Sequence, residues 1–198
     1  MKIGLTGSIA CGKSTVSSFL RSLGYQVVDA DAISRQLTAP GGDALPAVRK
    51  AFGGDVFDGD ALDRRALGGM VFADPAKLEL LNSILHPMII SQIETELSSL
   101  SQPGKLVFAD IPLLYECGME TMFDRIWVVS AARDTQIARL MTRDNLSEAE
   151  AVRRIDAQMP LEEKRRRADA VIDTNGPIEA TQRQVKALLA SPAGRRQA

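Results

Sequence analysis

Residues Gly7 to Thr15 have the composition of a loop that binds phosphate. They fit the pattern G-x-x-x-x-G-K-[ST], and a short apolar run precedes them. Glycines at positions 7 and 12 allow a left-handed backbone or a close approach, so that successive N–H groups converge on phosphate oxygens. Lys13 would supply positive charge to the β- and γ-phosphates, and Ser14 a hydroxyl to Mg²⁺. The spacing predicts a nucleotide site rather than the alternative, an ordinary glycine turn before a helix.

Acidic residues follow two further apolar runs. Asp29 and Asp31 close the run 25–31, and on an extended backbone their carboxylates point to the same side. One could then hold Mg²⁺ through water while the other takes a proton from an attacking hydroxyl. Alternatively, one of the pair caps a helix that begins near Ala32. Asp110 closes another run and is a second candidate for water-mediated Mg²⁺ binding.

Five apolar runs separated by helical stretches position these residues. None alternates cleanly between polar and apolar residues, which is typical of strands buried on both faces of a parallel sheet. We therefore predict an α/β fold, a parallel sheet flanked by helices, with ligands beyond the carboxyl ends of the strands. The predicted strands are residues 1–6, 25–31, 105–111, 125–130 and 170–173. A helix begun at Lys13 and a final helix over 178–189 complete this core.

Two long segments interrupt the sheet. Residues 32–104 exceed a simple crossover and predict a helical substrate-binding insertion, in which 84–90 joins two helices and His86 marks a helix boundary before Pro87. Residues 133–168 are highly charged and predict a helical pair that closes as a lid over an anionic substrate. The predicted division is a nucleotide-binding core (1–31, 105–132 and 169–190), the insertion, the lid and a flexible tail (191–198).

Arg139 and Arg143 are the strongest lid candidates because they lie one helical turn apart and would share a face. If both act only as lid residues, replacing either slows turnover and leaves the melting temperature nearly unchanged. Ser147, with acids in the turn that follows, predicts the start of a capped helix.

The overall composition excludes several classes of protein. With 24 basic and 25 acidic residues, the chain has no global field for nucleic acid or membranes. No run approaches the roughly 18 apolar residues that a membrane span needs, so we expect a cytoplasmic protein. Cys11 and Cys117 lack metal-like spacing and predict reduced thiols. Cys11 lies at a helix N-terminus, where a thiol pKa tends to fall and oxidation would inactivate the protein; alternatively it is a small residue without regulatory meaning.

Segments along nearly the whole chain resemble the dephospho-CoA kinase family. Glycine is common in that family where Ser8, Ala10 and Cys11 stand here. The resemblance implies ATP- and Mg²⁺-dependent phosphorylation of the ribose 3′-hydroxyl of dephospho-CoA, the last step of coenzyme A synthesis. The matching segments are Gly4–Gly7 running into the loop, Asp29–Asp31 with Arg35, Asp58–Arg64, Ile84–Pro87, Asp110–Glu116, Arg139–Asp144, Arg154–Met159 and Ala168–Gly176.

The resemblance also implies individual roles. Asp31 would be the base for the 3′-hydroxyl, Thr6 would lie near the reacting groups, and the turn at Asn175 and Pro177 would lie near adenine. A lone histidine is usually structural, and core packing is the alternative for Leu114. The implied catalytic residues are Asp31, Lys13, Arg139 and Arg143. The implied ATP ligands are Gly7, Ala10, Cys11, Gly12, Lys13, Ser14, Thr15, Asn175 and Pro177. The implied substrate contacts are Thr6, Asp31, Arg35, His86 and Leu114, and the implied Mg²⁺ contacts are Ser14, with Asp29 and Asp110 through water.

Two other functions remain open from the sequence. Another small-molecule kinase, of the nucleoside monophosphate or shikimate type, would share the loop, lid and arginines. A nucleotide-dependent binding module is the other, although the guanine-reading Asn-Lys-x-Asp element of GTPase switches is absent from the sequence. The expected partner is a small-molecule substrate, with no nucleic acid or membrane, and we expect a monomer or weak homo-oligomer.

Overall fold

The computed structural model describes residues 1–191; the predicted flexible tail, apart from Ser191, lies outside them. Five strands form one sheet in the order β2-β5-β1-β6-β7, so the predicted parallel sheet is confirmed. The strands are β1 (Lys2–Gly7), β2 (Gln26–Asp29), β3 (Phe57–Asp58), β4 (Ala61–Leu62), β5 (Val107–Asp110), β6 (Arg125–Ser130) and β7 (Ala170–Asp173). The helices are α1 (Lys13–Ser22), α2 (Ala30–Leu37), α3 (Leu45–Phe52), α4 (Arg64–Phe72), α5 (Pro75–Leu100), α6 (Arg133–Asp144), α7 (Glu148–Asp156), α8 (Leu161–Arg167) and α9 (Ile178–Ala190).

The strand register brings the carboxyl ends of four strands to one edge of the sheet. Leu5 pairs with Asp110, Gly7 with Val129, and Ser130 with Asp173. The loop after β1, the acid that ends β5 and the turn after β7 therefore lie along the same edge, where ligands of parallel sheets bind.

The sheet is buried on both faces, as its uninterrupted apolar strands predict. Phe108 and Trp127 are fully buried, and their rings pack edge to face with centroids 5.4 Å apart. Val16 of α1 and Val185 of α9 belong to the same core. This packing holds the first strand and its helix in place, and with them the loop that joins the two.

Contacts divide the chain into two units. One comprises Met1–Val28 and the chain from Leu97 onward, and the other comprises Asp29–Glu96. In the second unit, α3, α4 and the β3–β4 hairpin pack around a small core that includes Val48, Phe52 and Leu67. The four-part domain division drawn from the sequence stays a prediction.

The predicted helix boundary at His86 is wrong. Helix α5 continues through Pro87, which lies in its interior. Proline removes one backbone hydrogen bond, to the Ser83 carbonyl. Ile84, Leu85 and Met88 pack against the core of the second unit on both sides of the proline. Their burial offsets the lost bond, so one long helix replaces the two that were expected.

The expected extended backbone through Asp29 and Asp31 is also wrong. Helix α2 begins at Ala30, so Asp31 lies in its first turn while Asp29 keeps extended angles. The Asp29 Oδ1 accepts the N–H of Ala32 at 2.9 Å. The capping alternative is thus confirmed for Asp29, because a carboxylate that precedes a helix can accept an N–H that would otherwise lack a partner.

Residues 133–168 fold into three helices, α6 to α8, rather than the expected pair. The capped helix predicted at Ser147 is confirmed: the Ser147 side chain accepts the Glu150 N–H, and the Glu150 carboxylate accepts the Ser147 N–H in return. The Ser147 hydroxyl and N–H lower the pKa of Glu150. Pro160 precedes α8 and separates it from α7.

Candidate active site

The phosphate-binding loop, residues 7–15, is the centre of the candidate site. Helix α1 begins at Lys13 after Gly12, whose φ of 79° is left-handed, and no side chain caps it. Within residues 1–191, the N–H groups of Gly12, Lys13 and Ser14 have no hydrogen-bond acceptor. A row of N–H donors at a helix N-terminus binds anions, and phosphate in particular.

The two glycines of the sequence pattern, Gly7 and Gly12, meet different requirements of this loop. At Gly7, an added Cβ would lie 2.5 Å from the carbonyl oxygen of Val129, so the close approach of two backbones excludes any side chain. At Gly12 the requirement is the left-handed backbone itself. Both expectations drawn from the sequence, close approach and left-handed geometry, are therefore found, each at one glycine.

Lys13 contacts the carboxylate of Asp110, which ends β5 on the neighbouring strand. Both side chains are largely buried, with exposed fractions of 16% and 7%. The contact places one positive and one negative group beside the N–H donors of the loop. Such a pair can hold a phosphate and, through the carboxylate, a hydrated cation.

A cleft of about 630 Å³ opens beside the loop, within the first unit. The loop lines one wall through Ala10 and Gly12, the turn after β7 lines another, and α6 lines a third. Its volume suits a nucleoside. The lining residues are Ala10, Gly12, Ser14, Thr15, Ala138, Arg139, Thr142, Arg143, Thr174, Gly176, Ile178 and Thr181.

Arg139 and Arg143 both line this cleft, but they differ in what holds them. The Arg139 guanidinium donates to the Thr174 carbonyl at 2.6 Å, to the Thr174 hydroxyl at 3.0 Å and to the Ala10 carbonyl at 3.2 Å. Arg143 instead forms a two-bond ion pair with Asp144, at 2.8 and 3.0 Å, and its side chain is 58% exposed. Arg139 is therefore fixed to the wall of the site by backbone carbonyls, whereas Arg143 is held by an ion pair at the protein surface.

The expectation of a lowered thiol pKa at Cys11 is wrong. The side chain is 1% exposed and packs in the sheet core. Burial raises the pKa of the Cys11 thiol because it disfavours the thiolate, and this outweighs hydrogen bonds from the Ala131 and Ser8 backbones and the charges of Lys164 and Arg139. Cys11 contributes packing and backbone to the site and lacks the exposed, electropositive surroundings of a reactive thiol.

Three other predicted residues of the first unit are tied into the fold. Thr6 is buried and donates its hydroxyl to the Pro112 carbonyl at 3.1 Å. Leu114 is also fully buried, within contact distance of Gly4, so core packing describes its place in this structure. Asn175 accepts the Ala132 N–H at 2.7 Å and donates to Asp173 at 2.8 Å, which shapes the turn before Pro177, where Gly176 lines the cleft.

The remaining predicted residues belong to the second unit. Asp31 is exposed in the first turn of α2. Arg35 is exposed in the last turn of the same helix, and its carbonyl accepts a bond from Arg64 at 3.1 Å. His86 is half-buried in the middle of α5. Their predicted catalytic and substrate-binding roles, and that of Asp29 with the metal, stay predictions.

Sequence reasoning missed several polar residues that bond to the loop. Thr174 donates to the Cys11 carbonyl at 2.8 Å. Gln136 and Gln158 bond to Ile9. Lys164 is fully buried; it donates to the Gly7 carbonyl at 3.5 Å and pairs with Glu116 at 2.8 Å. Spacing alone gives no signal for them, although Gln158 and Thr174 lie in segments that carry the family resemblance.

A first strand that leads through a phosphate loop into a helix, on a five-stranded parallel sheet with a nucleoside-sized cleft, defines a P-loop kinase. The family model for dephospho-CoA kinase matches residues 1–180. The chain therefore belongs to the dephospho-CoA kinase family. It is an ATP-dependent kinase that acts on a small molecule, in the final step of coenzyme A synthesis.

Relatives of known identity agree over almost the full length. The dephospho-CoA kinase of Carboxydothermus hydrogenoformans is 46% identical over 189 residues, which cover 94% of this chain and 92% of the relative. The solved structure of the dephospho-CoA kinase from Campylobacter jejuni is 27% identical, with a TM-score of 0.77 over 100% of both chains.

The fold is shared more widely than the sequence. A shikimate kinase from Acinetobacter baumannii, solved with shikimate, matches with a TM-score of 0.55 over 99% of this chain and 95% of its own, at 16% identity. That likeness shows a common fold alone, and the other small-molecule kinases considered from the sequence are not favoured. None of the helices within residues 1–191 has the length and apolar character needed to cross a membrane.

Proposed function

We propose that this chain transfers the γ-phosphate of ATP to the ribose 3′-hydroxyl of dephospho-CoA, with Asp31 as the general base. The observation that carries the proposal is the phosphate loop, where free N–H groups of Gly12, Lys13 and Ser14 stand beside the Lys13 ammonium. Transfer of a phosphoryl group requires positioning and neutralisation of charge above all, and this arrangement supplies both.

In the proposed step, the 3′-oxygen of the acceptor attacks the γ-phosphorus in line with the bond to the β-phosphate oxygen. The P–O bond to ADP breaks as the new one forms, and the hydroxyl proton passes to the Asp31 carboxylate. Lys13, which contacts Asp110 in this structure, moves to neutralise the β- and γ-phosphates. The Lys13 ammonium already lies beside the N–H donors of the loop. Charge that develops on the transferred group is stabilised by donors already in place.

The residues near the loop also fit Mg²⁺. Magnesium prefers one or two carboxylates, a hydroxyl and substrate phosphates to a dedicated protein cage. The Ser14 hydroxyl and the Asp110 carboxylate form such a sparse donor set, and no cluster of three or more acidic, histidine or cysteine residues exists among residues 1–191. When bound, the ion would supply positive charge that helps to neutralise the phosphates of the nucleotide. Asp29, through water, remains a further candidate.

The cleft beside the loop is the proposed place of the adenosine. Asn175 shapes the turn that lines one side, and Arg139 and Thr142 of α6 also line the cleft. Arg143 is proposed to swing from Asp144 to the phosphates when the nucleotide binds, since its side chain is exposed and has freedom to move. A cytoplasmic location and a monomer or weak homo-oligomer stay predictions.

Mass spectrometry of the reaction products tests the activity. The protein is incubated with ATP, Mg²⁺ and dephospho-CoA, and parallel reactions contain AMP or shikimate as acceptor. We expect one added phosphate on dephospho-CoA alone, in a product that a CoA-requiring enzyme accepts. Product from another acceptor alone would contradict the substrate assignment while leaving the loop chemistry intact.

Replacement of Asp31 by Asn tests the base. Because the amide cannot accept the proton, turnover should fall by roughly 10²- to 10⁴-fold while ATP affinity changes little. Asp55→Asn is the matched control, since Asp55 is also exposed in the second unit, and it should turn over at the wild-type rate. Wild-type turnover in the Asp31→Asn variant would remove Asp31 from this role.

A further inference from the structure

Two glutamines of the charged segment 133–168 bond to the N–H and the carbonyl of Ile9, inside the phosphate loop. The Gln136 side-chain amide donates to the Ile9 carbonyl at 2.7 Å. The Gln158 side-chain oxygen Oε1 accepts the Ile9 N–H at 2.8 Å and the Ser8 hydroxyl at 3.0 Å. Gln136 and Ser8 are buried, at 2% and 5% exposed, while Ile9 and Gln158 are half-buried. Water therefore competes with these bonds less than it would at the surface, and together they restrain the loop.

The segment that they hold is a strained turn. The Cys11 N–H bonds to the Ser8 carbonyl at 3.2 Å, so Ser8 to Cys11 form a turn with Ile9 and Ala10 at its centre. Ala10 has a φ of 60°, in the left-handed region that favours glycine. A side chain with a Cβ keeps this backbone only when its surroundings hold it there.

The turn comes directly before the N–H groups of Gly12 to Ser14, the proposed phosphate donors. Ala10 is two residues from Gly12, and a different backbone at Ala10 would redirect the N–H groups that follow. The Arg139 bond to the Ala10 carbonyl, at 3.2 Å, restrains the same point from α6. The carbonyls of Ile9 and Ala10 and the Ile9 N–H are thus bonded to side chains of the helical segment 133–168, while the N–H groups of Gly12 to Ser14 stay without an acceptor among residues 1–191.

We propose that Gln136 and Gln158 are positioning residues that hold the phosphate loop in its phosphate-binding conformation. Gln136 belongs to α6, and Gln158 belongs to the link between α7 and α8. The helical segment 133–168 is therefore fixed at its base to the loop, and any closing movement must be confined to parts that lack these bonds, such as the Arg143 end of α6. The inference rests on the proposed binding of ATP phosphates by the loop.

The test compares a ligand with phosphates and one without. Gln136→Met and Gln158→Met keep the side-chain length and remove the amide. Affinities for ADP and adenosine are measured by titration calorimetry, with adenosine in competition where it binds weakly. We expect about tenfold weaker ADP binding and unchanged adenosine binding, because the lost bonds leave polar groups of the loop unpaired and its backbone less restrained. Ser8→Ala, a smaller change on the loop itself, should weaken ADP binding about threefold.

Two controls separate the possible failures. Ser147→Ala removes a helix cap elsewhere in the segment; it should lower the melting temperature by about 2–4 °C and leave both affinities unchanged. Lys13→Met should weaken ADP binding more than either glutamine variant. Unchanged ADP binding in Lys13→Met would overturn the proposed function of the loop. Weakened binding in Lys13→Met with wild-type binding in Gln136→Met, Gln158→Met and Ser8→Ala would overturn the positioning role, as would an equal loss of adenosine affinity.

Discussion

Two parts of helix α6 carry similar residues in different environments. In the middle of the helix, Gln136 and Arg139 bond to carbonyl groups of the phosphate loop and of the turn after β7. At its exposed end, Arg143 pairs with Asp144, which Arg154 of α7 also contacts at 3.0 Å. One helix therefore joins a rigid part of the site to a surface network that water and salt can weaken.

This difference separates two arginines that one helical turn relates. A charged group bonded to buried backbone carbonyls contributes to stability and to the shape of the site, because losing it leaves the carbonyls unpaired. An exposed arginine in a surface ion pair contributes little to stability and remains free to reach a ligand. The sequence predicted that both arginines act in the same way. In the structure, Arg139 also stabilises the fold around the site.

The largest expected effect is that of Arg139→Ala. Because the side chain makes three bonds to the site wall, we expect kcat/KM to fall by roughly 10²- to 10³-fold and the melting temperature by about 5 °C. Steady-state kinetics and calorimetry measure the two. Arg139→Lys should recover the charge but not the forked geometry, and so only part of the loss. An unchanged melting temperature in Arg139→Ala would mean that Arg139 contributes no more to stability than Arg143 does.

Arg143→Ala is the matched variant at the exposed end. We expect kcat to fall by roughly tenfold, since one phosphate-neutralising charge is lost, while the melting temperature changes by less than about 1 °C. The kinetic effect should shrink as ionic strength rises, whereas that of Arg139→Ala should not. A loss of stability as large as that of Arg139→Ala would mean that Arg143 is structural as well.

Alkylation of Cys11 reports on the buried side of the phosphate loop, to which Gln136 and Arg139 bond. Burial raises the thiol pKa, so at pH 8 the thiolate fraction lies below that of a free cysteine, and iodoacetamide should modify Cys11 at least about tenfold more slowly in the folded protein than in urea. Peptide mass spectrometry follows the site. Since the folded pKa is raised, this thiol favours folding below its unfolded pKa, and the contribution is lost as pH rises through the folded pKa. Rapid modification in the folded protein would show that the region around Cys11 opens to solvent.

The smallest effect is expected at Asp144. The hydrogen bond from Arg143, with further help from its charge and that of Arg154, lowers the Asp144 pKa. A lowered pKa favours folding above the unfolded value and loses that contribution as pH falls through the folded value. Asp144→Asn should therefore lower the melting temperature by less than about 1 °C at pH 7, and by progressively less as the pH falls through the folded pKa. A loss that does not shrink with falling pH would point to packing rather than charge.

The sequence by itself determined the features that depend on neighbouring residues. Local spacing predicts the first strand, the glycine pattern and the helix that begins at Lys13. It also predicts the capped helix after Ser147 and the five strands of the parallel sheet, with small differences in their bounds. The segments that resemble dephospho-CoA kinases identified the family, which the match over residues 1–180 confirms. The roles assigned to single residues stay predictions, since a motif states which residue types stand where and not what they contact.

Only the tertiary structure decided the features that depend on distant residues and on burial. Gln136 and Gln158 reach Ile9 across 127 and 149 positions, a distance over which spacing carries no signal. Burial reversed the expected shift of the Cys11 pKa and set Arg139 apart from Arg143. Packing on both sides of Pro87 kept α5 continuous. In each case the same residue type could lie in a buried or an exposed environment. The free energy of its interactions depends on whether water can reach the side chain, and the sequence does not state this.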